Sequence, residues 1–127
     1  SWLSLTCEGQ FSQIHNHRNS FWSGVYYFQD DYPEGTSKIQ FINPLSLMGD
    51  YFYSEDDIEN LNEVNALSWS LKPQPKMLIF FPSYLQHKIT KNNNKQVRSS
   101  LAFNISPLGK WGAGDSSYNT SWIYGNT

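Results

Sequence analysis

The sequence is poor in the residues that most often announce a mechanism. In 127 residues it has one cysteine and three histidines, and charged side chains make up only 16%. Its only arginines are Arg18 and Arg98. The lone Cys7 cannot close an internal disulfide, which fits a reducing compartment. Nine Lys and Arg stand against eleven Asp and Glu, a net charge of −2. That balance leaves no electrostatic footprint for nucleic acid or an anionic membrane surface. The one basic cluster, residues 88–95, is interrupted by Asn92, Asn93 and Asn94 and reads as a solvated turn. No apolar run approaches the ~20 residues that span a bilayer, and no signal-peptide pattern is visible. Internal repeats and a long amphipathic helical period are absent too.

Aromatic residues, in contrast, reach 17%. Tyr, Phe and Trp suit pleated surfaces, so a β-rich fold with an aromatic interior is expected. Short strand-like stretches separated by turn chemistry bear this out along the chain. They fall at residues 2–7, 11–17, 23–28, 38–42, 66–71, 77–81, 85–90 and 97–105, with a further short one at 122–124. The run Met77-Leu78-Ile79-Phe80-Phe81, closed by Pro82, reads as a buried central strand. Residues 54–61 read as a helical turn capped at Ser54 or as a loop. The acidic run from Glu55 to Glu59 within them reads as a solvated loop, with a lid as the less favoured role. Eight or so short strands predict an all-β sandwich or barrel with little helix, a jelly roll first among them. One domain over residues 1–127 is expected. The chain opens inside a strand-like stretch, so either a missing upstream segment or an unusually short gene product is expected.

The histidines are arranged as His15-x-His17 and, seventy residues on, His87. Residues two apart in a strand share a face, so His15 and His17 can converge on one point. Two ligands on one strand plus a distant third suits a metal held in a β-barrel. A chance pair of surface or core histidines accounts for the spacing equally well. The same periodicity sorts the late strand into two faces. Val97, Ser99, Leu101, Phe103 and Ile105 form an apolar one, and Arg98, Ser100, Ala102 and Asn104 form one that is small and polar apart from its cation. Facing inward, that second stripe would suit an anionic ligand; facing outward, it is an ordinary solvent face. In the third strand Gly24, Tyr26 and Phe28 go together, with Val25 and Tyr27 opposite. Trp22, Trp69, Trp111 and Trp122 read as packing residues. Asn104 reads as a ligand contact or as a satisfied inward polar residue.

Taken in order, these stretches resemble the 2-oxoglutarate- and iron(II)-dependent oxygenase superfamily. The likeness is closest to a short phage and marine-bacterial group and more distant to prolyl hydroxylases. Phe11-Ser12-Gln13-Ile14-His15-Asn16-His17 stands where that family has its His-x-Asp strand. Ser23-Gly24-Val25-Tyr26-Tyr27-Phe28 resembles the strand that follows it. Pro75-Lys76-Met77-Leu78-Ile79-Phe80-Phe81-Pro82-Ser83 resembles the strand before the distal histidine. Leu85-Gln86-His87 matches that histidine, and Arg98-Ser99-Ser100 matches the R-x-S that closes the co-substrate pocket. The likeness spans roughly residues 2–105, and its specificity lies in five weak motifs in order that use every histidine.

The resemblance implies a double-stranded β-helix with the site inside its open end. His15, His17 and His87 would bind one face of an octahedral Fe(II). Arg98 would pair with the distal carboxylate of 2-oxoglutarate, Ser100 would add a hydrogen bond, and Tyr26 would be a further phenol donor. The implied activity is oxidative decarboxylation of 2-oxoglutarate to succinate and CO2 coupled to hydroxylation of an unknown small molecule or protein side chain. A cytoplasmic location in a bacterium or phage-infected host is expected, with no nucleic-acid or membrane partner and a homodimer as one option. Two departures stand out. His17 replaces the family's Asp or Glu, with Asp30, Asp31 or the weaker Asn19 as substitute ligands. Lys76 replaces the Gly often found in the turn before the central strand. Two other readings remain: a cupin-like three-histidine metal protein with another activity, and a non-catalytic viral or structural β-domain.

Overall fold

A computed structural model describes residues 1–18, 20–45, 58–62 and 64–121. Its principal strands are β1 (Trp2–Thr6), β2 (Trp22–Tyr26), β3 (Ile39–Ile42), β4 (Ser68–Leu71), β5 (Leu78–Pro82), β6 (His87–Ile89) and β7 (Arg98–Ile105). Two short strands follow, β8 (Lys110–Trp111) and β9 (Tyr118–Asn119). A 3-10 turn lies at Gly114–Ser116 between them. The helical turn expected at Ser54 and the strand expected at 122–124 lie outside the described residues, apart from residues 58–61.

The seven principal strands form two antiparallel sheets, ordered β1-β7-β2-β5 and β4-β3-β6, and β8 pairs with β9 in a small third one. The neighbours are mostly distant in sequence. That interleaving makes the fold a jelly roll of the double-stranded β-helix kind, the class expected from the sequence. Its core lies between the sheets: Val25 and Tyr27 from the β2 side, Ile39 and Phe41 from β3, and Phe81 from β5. Phe41 and Phe81 meet edge to face at 5.0 Å.

Alternation in β7 follows the expected pattern. Arg98, Ser100 and Ala102 are buried on the inner face, while Leu101 and Ile105 are exposed on the outer one. In β2 the sets are as expected, but the inward one is Ser23, Val25 and Tyr27. The reason lies at Gly24, which pairs with both Phe80 and Phe103. A Cβ there would sit 2.3 Å from the Phe103 ring. The Phe103 ring, packed on Phe80, needs that missing side chain on the outer face. Gly24 therefore turns Tyr26 outward with it.

Residues 11–17 do not form the expected regular strand. They run along β6 through one bridge, His15 to His87, with reciprocal backbone bonds of 2.9 Å. Two residues further, the Ile89 N–H donates to the Ser12 hydroxyl rather than to a carbonyl. A side-chain acceptor in a ladder position breaks the regular pairing.

The turn before β5 explains Lys76. Gln74 to Met77 closes with an N–H to carbonyl bond of 3.1 Å, with Pro75 second and Lys76 third. Lys76 has φ 64°, the left-handed value that this kind of turn demands at its third position and that favours Gly.

Candidate metal centre

The bridge between His15 and His87 is what assembles the site. Pairing these two backbones puts their rings 4.4 Å apart, and His17, two residues on, stands 5.3 and 5.1 Å from them. One ring nitrogen from each histidine can be chosen so that all three lie within 4.8 Å of one another. Such a group could hold a metal ion. His87 is buried and His15 exposed, so the cluster sits across the rim of the barrel.

The ring orientations suit ligands. His15 Nδ1 lies 2.8 Å from the Gln13 carbonyl oxygen, and His87 Nδ1 lies 2.9 Å from that of Leu85. A carbonyl can only accept, so each Nδ1 carries a proton, which leaves Nε2 as the nitrogen able to offer a lone pair to a metal. That is the outer-shell arrangement metal-binding imidazoles usually have. Burial pushes the His87 imidazole down to about 4; the neighbouring His15 and His17 act in the same direction, against the Leu85 hydrogen bond. Burial also lowers His17, with His15 adding to it. His87 is thus neutral at pH 7 and offers its lone pair without first losing a proton. Phe81 and Trp2 supply an apolar wall, 4.7 Å from His87 and 5.7 Å from His17 respectively.

A cavity of about 210 Å³ opens from the three histidines to Arg98 and Ser100 on β7. β1 measures the separation along the barrel. Trp2 lies at the His17 end, and Thr6 pairs with Arg98. Four residues of strand span about 13 Å between Cα atoms, part of which the arginine side chain covers. Arg98 is 1% exposed. Its Nη2 donates to the Tyr27 hydroxyl at 3.0 Å, and its guanidinium carbon lies 5.0 Å from that ring's centre. Among the described residues, Nε, Nη1 and the Ser100 hydroxyl have no hydrogen-bond partner. Among the described residues no Asp or Glu lines the cavity.

The site residues expected from the sequence thus divide. His15, His17, His87, Arg98 and Ser100 share one cavity. Tyr26 is a correction: it lies on the opposite face of β2, paired with Leu78 and Leu101, and Tyr27 meets Arg98 instead. The signal that could have separated them is Gly24, which shares a face with Tyr26. Asp30 and Asp31 do not join the histidine cluster, and Asn19 lies outside the described residues. Asn104 accepts a 2.9 Å hydrogen bond from Ser23, the reading as a satisfied polar residue. Trp69 packs against the core and Trp111 between Phe21 and Tyr118, whereas Trp22 is half exposed and Trp122 lies outside the described residues. Trp2, against His17, had no signal in the sequence beyond its strand position.

Comparison with known proteins adds one positive finding. A family model described as "Putative 2OG-Fe(II) oxygenase" matches residues 1–104. No curated protein matches the chain.

Proposed function

This chain belongs to that 2OG-Fe(II) oxygenase family, and from this premise we propose that it is a 2-oxoglutarate-dependent dioxygenase using His15, His17 and His87 as iron ligands. The observation that carries the reading is the unpaired Arg98. A buried guanidinium with two nitrogens lacking partners costs several kcal/mol unless an anion reaches it. The cavity that leads from it ends at three lone pairs suited to a divalent metal. A small dicarboxylate with one end at the histidines and the other at Arg98 satisfies both ends.

The donor set therefore fits the implied groups. Iron(II) with 2-oxoglutarate would supply O2-dependent oxidation of a C–H bond, with decarboxylation of the keto acid to succinate. The chain's own residues bind and orient. Arg98 keeps the N–H groups of Nε and Nη1 free to donate to a carboxylate, and Ser100 adds a hydroxyl from the same face. Tyr27 accepts from Nη2 and so fixes the plane of the guanidinium. Gln13 and Leu85 carbonyls fix the histidine tautomers. Trp2, Phe41 and Phe81 limit water around the rings. The substrate is an unassigned small molecule or protein side chain.

A second reading has one observation in its favour, the imidazole of His17 where the usual facial triad has a carboxylate. On that reading the chain is a three-histidine metal protein of the cupin kind with another activity. Anaerobic titration separates the two. Fe(II) with 2-oxoglutarate should produce a weak visible charge-transfer band that Arg98→Ala loses. Zn(II) or Ni(II) binding with no response to 2-oxoglutarate would favour the second. Metal content unchanged in His87→Ala would remove both.

A further inference from the structure

We infer that metal and an organic dianion bind this cavity as a coupled pair, the three histidines holding a divalent ion tightly only when a dianion lies between it and Arg98. The inference rests on the reading above of the histidines as ligands and Arg98 as a carboxylate partner. What carries it is charge. The only charged side chain lining the cavity among the described residues, histidines aside, is Arg98, and it is buried. Among the described residues the one hydrogen bond of its guanidinium goes to a neutral phenol, which does not compensate its charge. The three histidines are neutral donors, so a divalent ion on them would keep both of its charges.

Two positive centres would then share one small cavity with no carboxylate between them. In a two-histidine, one-carboxylate site the ligand set cancels one of the metal's charges. Here His17 cancels none. Charges of +2 and +1 about 10 Å apart in a medium of effective dielectric about 20 repel enough to weaken binding on the order of a hundredfold. Solvent at the exposed His15 rim screens part of this, so roughly tenfold is the safer figure. A dianion spanning the cavity replaces that repulsion with two attractions. By linkage the metal must then tighten the dianion by the factor with which the dianion tightens the metal. Acid residues elsewhere do not relieve the cavity: Asp30 and Asp31 lie outside the cluster.

The test uses Co(II), which needs no oxygen-free turnover assay, and 2-oxoglutarate as the dianion. Calorimetry measures the Co(II) Kd with and without saturating 2-oxoglutarate. The expected result is at least a tenfold fall in Kd when 2-oxoglutarate is present. His17→Asp should bind Co(II) alone at least tenfold more tightly than the native chain and show a smaller response to 2-oxoglutarate. Arg98→Met should also bind Co(II) alone more tightly and should lose the response. Far-UV circular dichroism checks that each variant is folded, and His17→Glu replaces His17→Asp if the latter is not. Co(II) binding that is lost in His87→Ala but indifferent to 2-oxoglutarate overturns the coupling and leaves the metal site standing. So does a carboxylate at position 17 that leaves Co(II) affinity unchanged. No Co(II) binding under either condition overturns the metal reading itself, and the coupling with it.

Discussion

Replacing Arg98 by Met should make the ligand-free protein more stable, which is an unusual expectation for a fully buried residue in a central strand. Arg98 is 1% exposed, and its Nε and Nη1 have no partner. Each orphaned buried group costs about 1–3 kcal/mol. Against this stand the charged hydrogen bond to Tyr27 and the contact with its ring, together worth about 2–3 kcal/mol. The balance is on the order of 2 kcal/mol against arginine. Methionine keeps much of the apolar stem and adapts to irregular space. Urea denaturation without ligand should therefore show a gain of about 2 kcal/mol, roughly 4–8 °C in Tm. With metal present and 2-oxoglutarate at a hundred times its Kd, the native chain should gain about 2.7 kcal/mol, and the variant almost none. The two stability curves would then change order on adding ligand. A loss of 2 kcal/mol or more in ligand-free Arg98→Met would refute the reasoning. It would mean that the guanidinium is already satisfied and that the cavity has no need of an anion.

Tyr27→Phe removes the one hydrogen-bond partner that the Arg98 guanidinium has among the described residues and should weaken 2-oxoglutarate binding about tenfold in a calorimetric titration, whereas Tyr26→Phe should leave it unchanged. In the ligand-free protein, stability should fall as pH drops from 6.5 to about 4. Over that window the unfolded chain protonates His87 while the folded one keeps it neutral, so protons favour unfolding. The loss attributable to His87 is about 3 kcal/mol, and denaturation curves of His87→Gln should lack that share of it. Lys76→Gly should raise the unfolding free energy measured in urea by up to about 1 kcal/mol, because glycine relieves the left-handed conformation at φ 64°.

Most of the architecture was legible because each strand carries its own evidence. The run 77–81 became β5, shifted by one residue, but the buried central strand it predicted is a correction: β5 lies at the edge of its sheet and exposes Leu78 and Phe80, because apolarity alone does not say how many neighbours a strand has. β7 needed only alternation, and Arg98, Ser100 and Ala102 do share a buried face. Residues 11–17 were harder, since their role as a partner of β6 depends on a hydroxyl, that of Ser12, standing where a carbonyl would continue the ladder. Tyr26 and Tyr27 show the limit most clearly. Alternation assigns residues to two sets and is silent on which set faces the core. That choice follows from Phe103, whose ring needs the space above Gly24.

By itself, then, the sequence determined the strand period, the antiparallel all-β class and the grouping of His15 with His17 and of Arg98 with Ser100. These are local properties, fixed by side chains two residues apart on a pleated backbone. Tertiary structure alone decided that His87 closes to 4.4 Å from His15, that Tyr27 rather than Tyr26 meets Arg98, and that the guanidinium is buried without a counter-charge. Each of these depends on contacts between strands separated by about seventy residues. Burial and charge compensation are properties of the packed barrel, which no single strand contains.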